Sequence, residues 1–311
     1  MIKHIFKATV LLSLLSACTQ ESGQQDQKIP ETNGTDHSKN SGIIQIADQT
    51  LEVDARSGGR IKGISIDGFN FLTGRETNAD NWGSTFWPSP QSAWGWPPSE
   101  EIDKKEYDAV YEDTKILMTS AVDSKQGFVV EKSIEGNERD TSFSVTYTIV
   151  NQTDSAQKVS PWEITRVRPG GLTFYPTGKD TKKGDLAPLT NDLNGVTWFA
   201  YDSATIPDGV PKLLADGAEG WLAQINGRYI LIKSFEDVPS NLQAPGEGEI
   251  ELYANPDRSY IEIEQQGSYL EVKPGQKYEW KVKWILRRLP DSIKTEPGNP
   301  ELIAYVRSLI Q

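Results

Sequence analysis

The chain has 311 residues, 44 acidic and 32 basic side chains, a net charge of −12, one cysteine and two histidines. An acidic body of this kind repels nucleic acid and gains nothing from anionic lipid headgroups. Cys18, His4 and His37 all fall within the first 37 residues. The chain beyond residue 37 has no disulfide, thiolate or imidazole chemistry, which removes Ser-His-Asp hydrolysis and histidine-ligated zinc or iron. Calcium, bound through oxygen, is the metal such a charge favours. No loop has the alternating Asp/Asn spacing of an EF-hand, and neither a metal site nor a cofactor is expected.

In chain order, Met-Ile-Lys-His-Ile-Phe-Lys opens the sequence, Ala8–Leu15 is apolar, and Leu15-Ser16-Ala17-Cys18 puts small residues before the cysteine. This predicts a secretion signal over residues 1–17, with an apolar run too short to span a bilayer. Leu-Ser-Ala-Cys resembles the lipobox of bacterial lipoproteins, which implies acylation of Cys18 and a durable membrane anchor. Thr19 stands where an inner-membrane retention signal places Asp, so the same resemblance implies an outer-membrane location facing the periplasm. Loss of residues 1–17 would remove Lys3 and Lys7 and no acid, moving the charge from −12 to −14. Residues 18–42 have almost no apolar side chains and are predicted to be a flexible linker.

From Ile43 the pattern changes to short β-branched and aromatic runs separated by Gly, Asn, Asp and Pro. Strands are predicted at 43–47, 51–53, 60–66, 115–121, 128–134, 142–150, 159–167 and 172–175. Later ones are predicted at 197–201, 220–225, 229–235, 249–253, 260–265 and 278–286. Phe143, Val145, Tyr147 and Ile149 alternate with Ser144, Thr146 and Thr148, the mark of a strand with one buried face. Asn226-Gly227 signals a two-residue hairpin turn. Helix signals are scarce and clearest at the end, where Asn299 can cap, Pro300 suits the first helical position, and Leu302, Val306 and Leu309 would pack back on the body. Residues 43–311 are therefore expected to form a single all-β domain of antiparallel sheets with a short C-terminal helix.

Four segments carry candidate chemistry. Ser57-Gly58-Gly59-Arg60-Ile61 suits a turn needing positive φ, and no helix comes after it to make a phosphate loop. The stretch Asn81–Pro98 holds Trp82, Trp87, Trp94, Trp96, Gln91 and four prolines without one charged side chain. Its prolines argue against a central strand. Such a loop either plugs the end of a sandwich or offers indole faces and polar groups to a sugar. In Ser160–Gly171, strand period sets Trp162, Ile164 and Arg166 on one face and Glu163, Thr165 and Val167 on the other. Trp162 and Arg166 together could contact a sugar or carboxylate; a structural ion pair is the alternative. In Tyr260–Gly267, Glu262 and Glu264 share a face with Tyr260, suiting either acid–base work on a sugar or a solvated strand face.

Taken together, Gly-Gly-Arg-Ile, Asn-Trp-Gly, Trp-Pro-x-Pro-Gln-x-x-Trp-Gly-Trp-Pro-Pro and Pro-Trp-Glu-Ile-Thr-Arg-Val are similar to a family of uncharacterised bacterial domains in the galactose mutarotase-like superfamily. So is the late Glu strand with Lys273-Pro274-Gly275-Gln276. The resemblance covers about residues 43–290 and implies a supersandwich whose curved face forms a carbohydrate cleft. That superfamily includes aldose 1-epimerases, lyase domains and non-catalytic domains of glycan-degrading enzymes. By the same resemblance, Glu264-Gln265-Gln266 matches the epimerase Glu-x-Gln base, and Asn151-Gln152-Thr153-Asp154 matches the strand end that precedes the acid histidine. That histidine would fall near Pro161–Glu163, and none is there.

The expectation is a lipid-anchored envelope protein that binds a carbohydrate without the standard epimerase chemistry. Trp82, Trp87, Trp94, Trp96 and Trp162 would stack, and Gln91, Glu163, Arg166, Glu262 and Glu264 would make polar contacts. Two alternatives remain. One is a sugar-active enzyme, epimerase-like or lyase-like, with Glu264 as base and a tyrosine or Glu163 as acid. The other is an assembly lipoprotein binding a protein partner.

Overall fold

The computed structural model describes residues 42–310. The predicted signal peptide, Cys18 and the predicted linker apart from Gly42 lie outside them. In chain order the strands are β1 (Ile43–Ile46), β2 (Gln49–Asp54), β3 (Arg60–Ile66), β4 (Phe69–Asn70), β5 (Ser84–Ser89), β6 (Asp108–Tyr111), β7 (Lys115–Thr119), β8 (Phe128–Asn137), β9 (Ser142–Asn151) and β10 (Gln157–Val167). Next come β11 (Leu172–Pro176), β12 (Thr190–Leu193), β13 (Val196–Ala200), β14 (Lys212–Ala215), β15 (Trp221–Asn226), β16 (Tyr229–Ser234), β17 (Ile250–Ala254), β18 (Ile261–Gln266), β19 (Leu270–Val272) and β20 (Lys277–Arg288). One short helix, α1 (Glu100–Asp103), lies after β5, and α2 (Pro300–Ile310) ends the described chain.

These strands make two ten-stranded antiparallel sheets. The first runs β1-β2-β3-β5-β10-β18-β17-β14, with β4 on β3 and β19 on β10. The second runs β12-β13-β11-β15-β16-β20-β9-β8-β7-β6. Alternating runs supply the layer between them: Phe143, Val145, Tyr147 and Ile149 of β9 are all buried. Phe86 of the first sheet stacks on Tyr147 of the second, centroids 4.5 Å apart. A second apolar cluster, with Phe174, Trp198, Trp221 and Ile232, is completed by Leu302, Ile303 and Val306 of α2. The cap is as predicted: the Glu301 amide donates to Asn299 Oδ1 at 2.9 Å.

The structure corrects two sequence expectations. The tryptophan–proline stretch, predicted to hold no central strand, contributes β5, which lies between β3 and β10. Pro88 sits opposite Pro161 of β10, so two missing donors share one rung, and alternate rungs of an antiparallel pair need no donor. On its other side β5 meets β3 only at Ser84–Ile61, so beyond Ser84 that edge is unpaired and accepts proline. The hairpin turn is one residue later than predicted: Asn226 pairs with Tyr229, leaving Gly227 (φ +59°) and Arg228 as the loop, with glycine first as a type II′ turn requires.

The inter-sheet layer is not wholly apolar. Glu163 of β10 is fully buried and accepts from Tyr147 Oη at 2.6 Å, Gln265 Nε2 at 2.5 Å, Trp284 Nε1 at 3.2 Å and the ammonium of Lys233, itself without solvent contact. Lys233 also donates to Thr165 Oγ1 at 2.9 Å. Nearby, buried Lys132 of β8 donates to the carbonyls of Gly58 and Gly59, both at 2.8 Å. Gly58 has φ +68°, and a Cβ there would lie 2.3 Å from the Asp103 carbonyl oxygen, so no other residue fits that turn. Removing one member of a buried ion pair strands the other charge. Lys233→Met is expected to cost about 3–5 kcal/mol in urea unfolding, and the double variant Glu163→Gln/Lys233→Met to recover part of the loss; a single-variant cost near zero would contradict this account.

Candidate functional site

Strand register places the candidate residues on one face of the first sheet. Trp87 of β5 is opposite Trp162 of β10, and Trp162 is opposite Gln266 of β18. One rung along, Ile164, Glu264 and Glu251 align across β10, β18 and β17. The next rung aligns Arg166, Glu262, Tyr253 and Lys212, reaching β14. Side chains alternate along a strand, so this face is the one turned away from Glu163 and the inter-sheet layer.

On that face lies a cavity of about 330 Å³, lined by Trp87, Trp96, Trp162, Tyr253, Tyr260, Glu262, Glu264 and Lys212, with Asn81, Gln91 and Val210. Glu264 forms its floor. Oε2 accepts from Trp162 Nε1 at 2.8 Å, while Oε1 is buried with no partner. Burial raises the Glu264 carboxyl to about 7 and the charge on Glu262 adds to the shift; Lys212, Arg166 and the Trp162 bond oppose it. Glu251, next to Glu264, is raised well above the carboxylate range by its own burial and by Glu264. Glu251 Oε1 accepts from Gln266 Nε2 at 2.8 Å, and its other oxygen lies 3.4 Å from Lys212 Nζ. Burial works to lower Lys212, but Glu264, Glu251 and Glu262 outweigh it and hold the ammonium charged. Glu262 Oε1 pairs with Arg166 Nε at 2.7 Å. The floor is thus a chain of carboxyls of unequal acidity with one ammonium facing the space. Among the described residues no group of three or more His, Cys, Asp or Glu side chains is set to hold a metal ion.

Trp87 organises the indole wall. It makes T-shaped contacts with Trp94 and Trp96, both at 5.9 Å, and with Trp162 at 5.4 Å, and donates to Asp103 Oδ1 at 2.9 Å. Asp103 is tied in turn to buried Arg60 at 3.3 Å, so α1 and the glycine turn hold the wall from behind. The segment after β5 is fixed at both ends: the Gln91 amide donates to Glu247 Oε1 at 2.8 Å. Lys125, on the β7–β8 connection, donates to the carbonyls of Trp94, Gly95 and Pro97.

Six of the sequence-selected residues therefore meet at the cavity: Trp87, Gln91, Trp96, Trp162, Glu262 and Glu264. Four do not line it. Trp82 is buried between the guanidinium groups of Arg60 and Arg75, 4.7 and 4.8 Å from its ring. Trp94 packs on Trp87 and donates to the Pro88 carbonyl at 2.6 Å. Arg166 lies one layer behind, bonded to Glu262 and to Thr85. Glu163, expected as a contact or substitute acid, points the opposite way, into the inter-sheet layer. Lys212, Tyr253, Val210 and Asn81 were not singled out from sequence. The strand carrying Lys212 is four residues long and leaves no readable alternation.

A family model described as Domain of unknown function (DUF4380) matches residues 90–287. No curated protein matches the chain by sequence. Among solved structures it is similar to a galactose mutarotase-like protein from Lactobacillus casei, with 11% identity, TM-score 0.55, and 79% of this chain and 99% of that one covered. It is similar also to a galactose mutarotase related enzyme from Lactobacillus acidophilus, with 8% identity, TM-score 0.56, and 81% and 99% covered. A galactose mutarotase-like protein from Clostridium acetobutylicum gives 11% identity, TM-score 0.53, and 79% and 95% covered. Identities this low speak to fold alone: the two sheets form the galactose mutarotase-like supersandwich.

The raised carboxyls make stability fall with pH. A carboxyl raised in the folded state contributes stability that is complete below the ordinary carboxyl range and is lost as pH rises through its folded value. Glu264 at about 7 and Glu249, raised by burial to about 8, set that window. The urea midpoint is expected to drop between about pH 5 and pH 8, and to drop less in Glu264→Gln, where the ionisation is removed; equal slopes in the two proteins would contradict the buried-carboxyl assignment.

Proposed function

The chain belongs to the DUF4380 family, and on that premise we propose that it binds a carbohydrate in the cavity between the indole wall and the carboxyl floor. The observation that carries this reading is the unpartnered, buried Oε1 of Glu264 in a cavity walled by Trp87, Trp96 and Trp162. A sugar presents apolar ring faces and hydroxyls, and a hydroxyl donates to Oε1 when Glu264 is ionised and accepts from it when protonated. Aromatic walls with a few convergent polar groups are the usual make-up of a small-ligand site, and the fold relatives are described as mutarotase-like. The same reading takes Leu15-Ser16-Ala17-Cys18 as an acylation site that tethers the domain to the cell envelope, at the outer membrane facing the periplasm.

The test is a glycan array followed by calorimetric titration. Binding is expected in the micromolar to millimolar range, weakened roughly tenfold by Trp96→Ala, a loss of about 1.4 kcal/mol. Absence of binding by every sugar at millimolar concentration would overturn the reading.

The raised carboxyl of Glu264 favours a second reading, sugar-active chemistry. A carboxyl near neutrality can take and return a proton, and charged Lys212, Tyr253 and Tyr260 line the same space. If the protein interconverts aldose anomers, Glu264→Gln is expected to slow turnover at least roughly a hundredfold; unchanged turnover would remove this reading and leave binding alone.

A further inference from the structure

Among the described residues the two most exposed large apolar side chains are Val210, 67% exposed, and Trp96, 61%. Both line the one cavity whose floor is Glu264. Exposed apolar side chains scattered singly need no explanation. Here the two largest exposures converge on the opening of a site whose depth is polar and buried.

The opening is also held in place. Gly95, with φ +64°, sets the turn into Trp96, the Trp96 ring abuts Trp87, and Lys125 secures the carbonyls on either side. A large apolar ring fixed in water is pre-organised to bind rather than left over from packing. The enclosed space, about 330 Å³, is at the small end of the roughly 300–1,000 Å³ usual for ligand sites, so a ligand that also covers Trp96 and Val210 projects beyond it.

We infer that the cavity takes one ring of a neutral oligosaccharide whose neighbouring ring lies outside, against Trp96 and Val210. This rests on the sugar-binding reading and adds to it the length and charge of the ligand. Length follows from the exposed mouth. Charge follows from the field of the whole chain, which carries −12, so a polyuronate meets repulsion on approach.

The test titrates the full-length protein with glucose, galactose and mannose, with cellotetraose, maltotetraose, galactotetraose and mannotetraose, and with tetragalacturonate. One neutral tetrasaccharide is expected to bind roughly tenfold or more tighter than its own monosaccharide. Trp96→Ala should bring that ratio toward one, and Val210→Ser, a smaller change on an exposed segment, serves where the first variant fails to fold. Equal affinity for monosaccharide and tetrasaccharide would overturn the inferred length while leaving sugar binding intact. Tetragalacturonate binding as tightly as the neutral chains would overturn the inferred charge. No binding by any sugar would remove the sugar-binding reading and this inference together.

Discussion

A carboxylate buried between two sheets needs donors, and the need of Glu163 for them sets much of this structure. Three of its donors, Tyr147, Lys233 and Trp284, stand on three strands of the opposite sheet, and the fourth, Gln265, stands on the neighbouring strand. An uncompensated charge at that depth is strongly unfavourable, so β10 has one acceptable register. Alternation then does the rest: with Glu163 turned inward, Trp162 must turn to the cavity and Arg166 to the same face, behind Glu262. A slip of one residue would exchange the two faces of the strand, losing the ion pair and the indole wall together. The core and the candidate site are thus settled by one registration of one strand.

Much of the fold was legible because alternation and capping are local. The Phe143–Ile149 face and the Asn299 cap needed nothing from elsewhere in the chain. The residues misread or passed over are those whose partners are far away. Lys132 alternates with Val130 and Ile134 on a buried face, and the carbonyls that hold it lie 73 and 74 residues earlier. Glu163 was read as a sugar contact or a substitute acid, on one face with Thr165. They are polar because the facing sheet brings Lys233 to them, which no pattern within β10 can reveal. In the tryptophan stretch, composition marked residues that line the cavity, Trp87, Gln91 and Trp96, but hid a strand, since the tolerance for Pro88 comes from Pro161 opposite it and from an unpaired edge beside it. Trp82 was selected with its neighbours for being an indole, and only the two flanking guanidinium groups give it a packing role.

The fold relatives give an architecture without a ligand, and the geometry is more specific than the likeness. No imidazole is present beyond residue 37. In its place the cavity offers the raised carboxyl of Glu264 beside Glu262, an ammonium and two tyrosines. That set suits hydrogen bonding to a polyhydroxylated ring whether or not a proton is moved.

Floor and mouth differ in how they are built. Glu262, Glu264, Trp162 and Lys212 stand on strands, in register with the core, so changing them risks the sheet itself. Trp96 and Val210 stand on connections, with most of each side chain exposed. Those two side chains can therefore change with little penalty to folding while the floor stays as it is. Relatives built on this plan can share one floor and still diverge at the mouth of the cavity.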